Sequence, residues 1–247
     1  MRSIDGSRSG YRRKLARATA RNESMSSPDR RRLRFVLGFG LYFVALWYLW
    51  YTPVVYPLKI FVVLLHEVSH AAALVATGGA VEAITLSPQQ GGLTLGRGGS
   101  PFITLSAGYL GSLAFGALLM SGAQWKRVSS GTLLAVVGGA VLALTAIYVR
   151  NPFGLVFGAL FGAALLVSGR RLPVTWSSRL LMGLGLTSVF YAILDIKSDI
   201  LDRPEIESDA RMLAELTGIP TMAWGVLWIV IAVVAAIFLL RRTLRNA

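Results

Sequence analysis

Val62-Val63-Leu64-Leu65-His66-Glu67-Val68-Ser69-His70-Ala71-Ala72-Ala73-Leu74 is the stretch on which the fold turns. It holds both histidines of the chain, four positions apart, with a glutamate directly after the first. On an α-helix each residue advances by about 100°, so His66 and His70 share a face one turn apart and Glu67 flanks them. Two imidazoles at that spacing can grip one Zn²⁺, and the carboxylate between them can take a proton from a water at the metal. The motif lies inside an apolar run long enough to cross a bilayer. A charge at the centre of such a helix costs about 2.5–3.5 kcal/mol on insertion scales, so it is normally retained for function. The blander alternative has both histidines hydrogen-bonded to neighbouring helices and Glu67 paired with an arginine.

Outward from the motif, the composition is that of a chain dissolved in lipid. Of 247 residues, 54% are hydrophobic and 15% charged, against roughly 25% charged in soluble domains. Uninterrupted apolar stretches of about 17–24 residues recur. The expected fold is an all-α polytopic membrane protein of about six or seven transmembrane helices.

The formal net charge of +13 is concentrated at the N-terminus. Residues 1–34 carry eleven of the 25 Lys and Arg against three acids, Asp5, Glu23 and Asp29. This Arg- and Ser-rich segment reads as a disordered cytoplasmic tail in contact with anionic lipid, obeying the positive-inside rule. No nucleic-acid partner is expected. Residues 35–247 read as the membrane-embedded domain, in the cell membrane with a cytoplasmic N-terminus.

The spans expected from hydropathy begin with Phe35 to Tyr51 and with Val54 to Thr77, which Gly78-Gly79 closes. Val81 to Gly99 alternates on either side of Pro88 and Gly91-Gly92, which predicts a short β-hairpin or re-entrant segment set against protein at membrane depth. Pro101 to Ser121 is the next helix, with close-packing small residues at 108, 111, 112 and 116. Leu133 to Val149 and Phe153 to Ser168 form a helical hairpin turned at Arg150-Asn151-Pro152. Leu180 to Leu194 and Met222 to Leu240 are the last spans. A short helix from Ser208 to Thr217 precedes the final one, capped by Ser208 or Asp209.

A catalytic zinc takes three protein ligands and keeps one open position. The chain has no cysteine and no third histidine, so the remaining ligand must be Asp or Glu. Asp195, at the end of an apolar helix, is the first candidate. Asp199 and Asp202 follow on roughly the same face and read first as solvated acids. Glu82, in the hairpin, is the weaker alternative.

In this order, His66-Glu67-Val68-Ser69-His70 on a membrane helix, the Gly-rich hairpin, Ala107-Gly108-Tyr109-Leu110-Gly111-Ser112 and the Asp195 helix are similar to the peptidase M50B-like branch of the site-2 protease family. Ser208-Asp209-Ala210, Leu216-Thr217-Gly218-Ile219-Pro220 and Trp224 resemble that branch too, so the likeness runs from about residue 35 to the end. It differs from the better-studied site-2 proteases in having Ile196 after Leu194-Asp195, where they carry Leu-Asp-Gly.

The resemblance implies zinc-dependent hydrolysis of peptide bonds inside the membrane. It implies one Zn²⁺ per chain on His66, His70 and provisionally Asp195, with Glu67 as the base that activates water. Its substrate would be a membrane protein cut in or near a transmembrane helix, which must unwind locally and could add as a strand to the hairpin. Two rival readings remain: a non-proteolytic membrane scaffold or chaperone that keeps the metal site, and a transporter.

Overall fold

The structure is a computed structural model, which describes residues 27–50, 52–197 and 207–246. These fall into two compact units that divide between Ala45 and Leu46. The first contributes most of α1 (Ser27–Leu49), which begins within the polar segment expected to be a disordered tail. Residues 1–26 lie outside the described residues. Only Val36–Leu49 of α1 is apolar, and this is shorter than a span, so the expected first crossing from Phe35 is not among the candidates.

The second unit holds the other elements. They are α2 (Tyr56–Ala76), β1 (Ala80–Leu86), β2 (Gly92–Arg97), α3 (Pro101–Ala123), α4 (Ser130–Tyr148), α5 (Pro152–Arg171), α6 (Val174–Lys197), α7 (Asp209–Thr217) and α8 (Thr221–Asn246). Among the described residues, α2, α3, α4, α5, α6 and α8 are long and apolar enough to cross a membrane. The chain is a multi-pass integral membrane protein, and its described residues give the lower of the two expected counts.

The α2 helix is the centre of this unit because it is apolar on nearly every side. Ile60, Phe61, Val62, Val63 and Leu64 are all buried, packed with Leu134, Leu165, Leu181 and Tyr191. A helix that is apolar all round is one surrounded by other helices. On α3, α4, α5 and α8 a smaller share of the span is buried, and apolar residues such as Leu118, Val136, Leu160 and Val234 face outward, as lipid-facing helices require. The α4 and α5 helices pack backbone to backbone. A Cβ at Gly138 would stand 2.7 Å from the Gly162 carbonyl oxygen, the small-residue contact that brings helices together without a hydrophobic driving force.

The expected hairpin is present and antiparallel, with Ile84 opposite Thr94 and Leu86 opposite Gly92. It runs back along α2 rather than away from it. Gly96 meets Leu74, Thr94 meets Glu67, and the Tyr56 hydroxyl at the start of α2 donates to the Pro88 carbonyl (2.8 Å). The hairpin is thus folded against the motif helix, the re-entrant arrangement expected of a segment too polar to meet lipid by itself.

The α4–α5 turn binds the outer edge of β1. The Arg150 N–H donates to the Ile84 carbonyl (3.1 Å), and the Asn151 amide both accepts from Leu86 N–H (3.0 Å) and donates to Leu86 O (2.7 Å). Ile84 and Leu86 therefore point their backbone groups away from β2. In an antiparallel ladder, their register partners Thr94 and Gly92 must then point theirs to the opposite edge. Among the described residues no strand flanks that edge of β2.

Candidate metal centre

His66 and His70 project from the middle of α2, as the spacing predicts, with ring centroids 4.7 Å apart. The carboxylate that meets them comes from α7. Asp209 Oδ2 is 3.0 Å from His66 Nε2 and 3.2 Å from His70 Nε2. One ligand atom from each of the three residues lies within 4.8 Å of the others. Asp195 on α6, the expected third member, is outside that group. Asp195 is half-buried and near enough for its charge to be felt at His66.

The other candidates separate cleanly. Glu82 is an exposed strand residue paired with Arg97 at 3.3 Å. Asp199 and Asp202 lie outside the described residues.

The local sequence of α7 explains why Asp209 reaches the pair. The Ser208 side chain caps the helix by accepting from Arg211 N–H, which puts Asp209 in the first turn. Ala210 and Leu213, both fully buried, pack with Tyr109 of α3, Ile196 of α6 and Trp228 of α8. That apolar face seats the helix and leaves Asp209 directed at α2. Sequence reasoning assigned Ser208 or Asp209 to capping; Ser208 alone supplies the cap. The signal for it in the sequence is Ser208-Asp209-Ala210, one of the stretches that carry the resemblance.

Gly108 on α3 makes room for the cluster. A Cβ there would overlap His66 Nε2 and stand 2.6 Å from Asp209 Oδ2. One residue on, Tyr109 meets His66 edge to face, with centroids 4.9 Å apart, and fixes the plane of the imidazole.

Three features fit this group to a metal ion. The His70 Nδ1 is 2.7 Å from the Thr104 carbonyl oxygen, which can only accept, so Nδ1 carries the proton and, in the neutral ring, Nε2 has its lone pair free for a metal. Asp209 Oδ2 is fully buried and has no hydrogen-bond partner, an expense that native structures rarely leave unexplained. The Asp209 carboxyl is also ionised. Against the effect of burial, protonated imidazoles beside it hold the carboxyl down to about 2, and a bound cation would take over that role from their protons. Two neutral imidazole nitrogens and one carboxylate oxygen form a donor set suited to zinc with a position left open.

Glu67 stands beside the cluster and is 4% exposed. Its Oε2 accepts from the Thr94 hydroxyl at 2.7 Å, while Gly92 leaves no side chain over the carboxylate. A Cβ at 92 would sit 2.6 Å from Glu67 Cγ. The hairpin therefore covers the motif glutamate through two residues of one strand.

Comparison with known proteins gives one family. The model of the peptidase M50B-like family matches residues 39–239. No curated protein and no solved structure matches the chain.

Proposed function

Because the chain belongs to the peptidase M50B-like family, we propose that it is a zinc-dependent intramembrane protease cutting a membrane protein in or near a transmembrane segment. The observation that carries this reading is the convergence of His66 Nε2, His70 Nε2 and Asp209 Oδ2 beside the buried carboxylate of Glu67. Zinc, when bound there, would polarise a carbonyl and make water a nucleophile near neutral pH.

The remaining work falls to the chain. His66, His70 and Asp209 would hold the ion. Glu67 accepts the proton of the attacking water and later passes it to the leaving amine. The burial of Glu67 and Asp209 limits the competing water around them. A substrate helix has its carbonyls locked in i→i−4 bonds, so it must be cut where it is extended. The outward N–H and C=O groups of Gly92 and Thr94 offer such a segment an edge for strand addition, directly beside Glu67.

The same reading orients the protein. Counted through α2, α3, α4, α5, α6 and α8, alternate crossings bring Lys126 and Arg127, Arg170 and Arg171, and the Arg241–Arg245 tail to one side. The positive-inside rule makes that side cytoplasmic. That side would then face the anionic lipid of the cell membrane.

A non-proteolytic scaffold or chaperone that keeps the metal is the rival. Metal analysis of purified protein together with a Glu67→Gln variant separates the two. The protease reading expects about one zinc per chain in both proteins and cleavage of a membrane substrate only by wild type. Zinc-free protein prepared without chelators overturns the metal centre. Unchanged function in Glu67→Gln overturns the protease.

A further inference from the structure

A buried glutamate that moves protons must be held as well as placed. Glu67 has three rotatable bonds between its helix and its carboxylate, and a base shifted by about 1 Å loses much of its effect. It is buried, and a buried carboxylate without hydrogen bonds is costly. The hairpin supplies the bond. Thr94 Oγ1 is 2.7 Å from Glu67 Oε2 and 3.0 Å from the Glu67 backbone carbonyl. A hydroxyl has one proton to give, and the shorter contact to the charged oxygen is the stronger. The longer approach to the backbone carbonyl competes for that one proton and adds no second bond. Glycine at 92 leaves space for the carboxylate beneath β2.

We propose that Thr94 is a positioning residue whose hydroxyl holds the Glu67 carboxylate in its working orientation, which ties proton transfer to the seating of the hairpin. This rests on the protease reading of the same site. It goes further by making the hairpin part of the proton-transfer machinery. Thr94 also turns its own N–H and C=O to the open edge of β2. A peptide added there bonds to the residue that holds the base, so docking and base orientation meet at one position.

The test uses the full-length zinc-loaded protein with Thr94→Val, which keeps the β-branched shape and removes the hydroxyl, and Thr94→Ser, which keeps the hydroxyl. Two readouts are taken beside zinc content: turnover of a quenched fluorogenic transmembrane peptide, and affinity for a peptidyl hydroxamate, whose acidic proton needs the glutamate beside the metal. Thr94→Val is expected to bind zinc as wild type does. Its kcat should fall about 10- to 100-fold, the loss of one hydrogen bond to a charged group, with KM little changed. Its hydroxamate affinity should weaken in step, as should that of Glu67→Gln. Thr94→Ser should recover most of both losses.

Wild-type hydroxamate affinity in Thr94→Val overturns the proposal, and so does an equal loss in Thr94→Ser, which would mark a packing role. If wild type binds zinc and hydroxamate but cuts no peptide, the protease reading fails, and hydroxamate affinity alone decides Thr94. Absence of zinc from wild type overturns both.

Discussion

The Oδ2 atom of Asp209 stands 3.0 Å from the Nε2 of His66, and this contact joins the short helix α7 to the middle of the motif helix α2. The same oxygen is 3.2 Å from His70 Nε2, so a single carboxylate serves both imidazoles. Asp209→Asn should therefore lower zinc occupancy by at least about tenfold at limiting metal, since a neutral amide is a poor ligand. Asp195→Asn should leave occupancy near wild type. Metal analysis of the two variants in parallel decides the matter, and the reverse pattern would return the third position to Asp195.

Gly108→Ala adds one methyl group where it would overlap His66 Nε2 and crowd Asp209 Oδ2. Backbone of α3 lies behind that methyl, so the cluster must give way. The variant should fold, because the change is confined to one contact, yet hold zinc much more weakly. Overpacking of this kind costs about 1–3 kcal/mol. Circular dichroism with zinc titration checks both halves. Tight binding in Gly108→Ala would show that the cluster can relax without loss.

Asn151→Ala removes both bonds to Leu86. Each is worth about 0.5–1.5 kcal/mol net, and together they hold the β1 edge of the hairpin. Hydrogen exchange at 84–94 should accelerate while zinc content stays normal. Under the protease reading, cleavage falls as well. Protection equal to wild type would mean that Arg150 and the packing of Val149 suffice.

Zinc should stabilise the fold, because its proposed ligands come from helices far apart in sequence. At a free metal concentration of about 100 Kd, one site contributes about 2.7 kcal/mol. Thermal unfolding in detergent should shift upward with zinc and return on chelation, and Asp209→Asn should abolish the shift. An equal shift in that variant would place the binding elsewhere.

Local patterns carried most of the architecture. Long apolar runs specify spans through the cost of exposing backbone and charge to lipid, so α2 to α6 and α8 were legible one by one. The marginal case was α1, whose apolar part is only Val36–Leu49. The hairpin was legible as well, because alternation around Pro88 and Gly91-Gly92 fits little else. Its partners were not. Asn151 reads in sequence as a helix-turn residue, and only the fold sets its amide against Leu86 as a strand would.

The histidine pair and the glutamate beside it are legible in the chain without any fold. Helical periodicity alone puts His66 and His70 on one face, and their surroundings make the helix a membrane one. The chain also leaves only a carboxylate for a third ligand, with no cysteine and no other histidine to choose. Which carboxylate was a tertiary decision. Asp195 sits on a long apolar helix and looked the better placed. Asp209 is the carboxylate that meets the histidines, because Ala210 and Leu213 dock α7 on Tyr109 and Trp228, and Gly108 opens the space between them. Contacts among residues distant in the chain leave no period or spacing to read, so only packing reveals that α7 supplies the acid and β2 the hydroxyl beside Glu67.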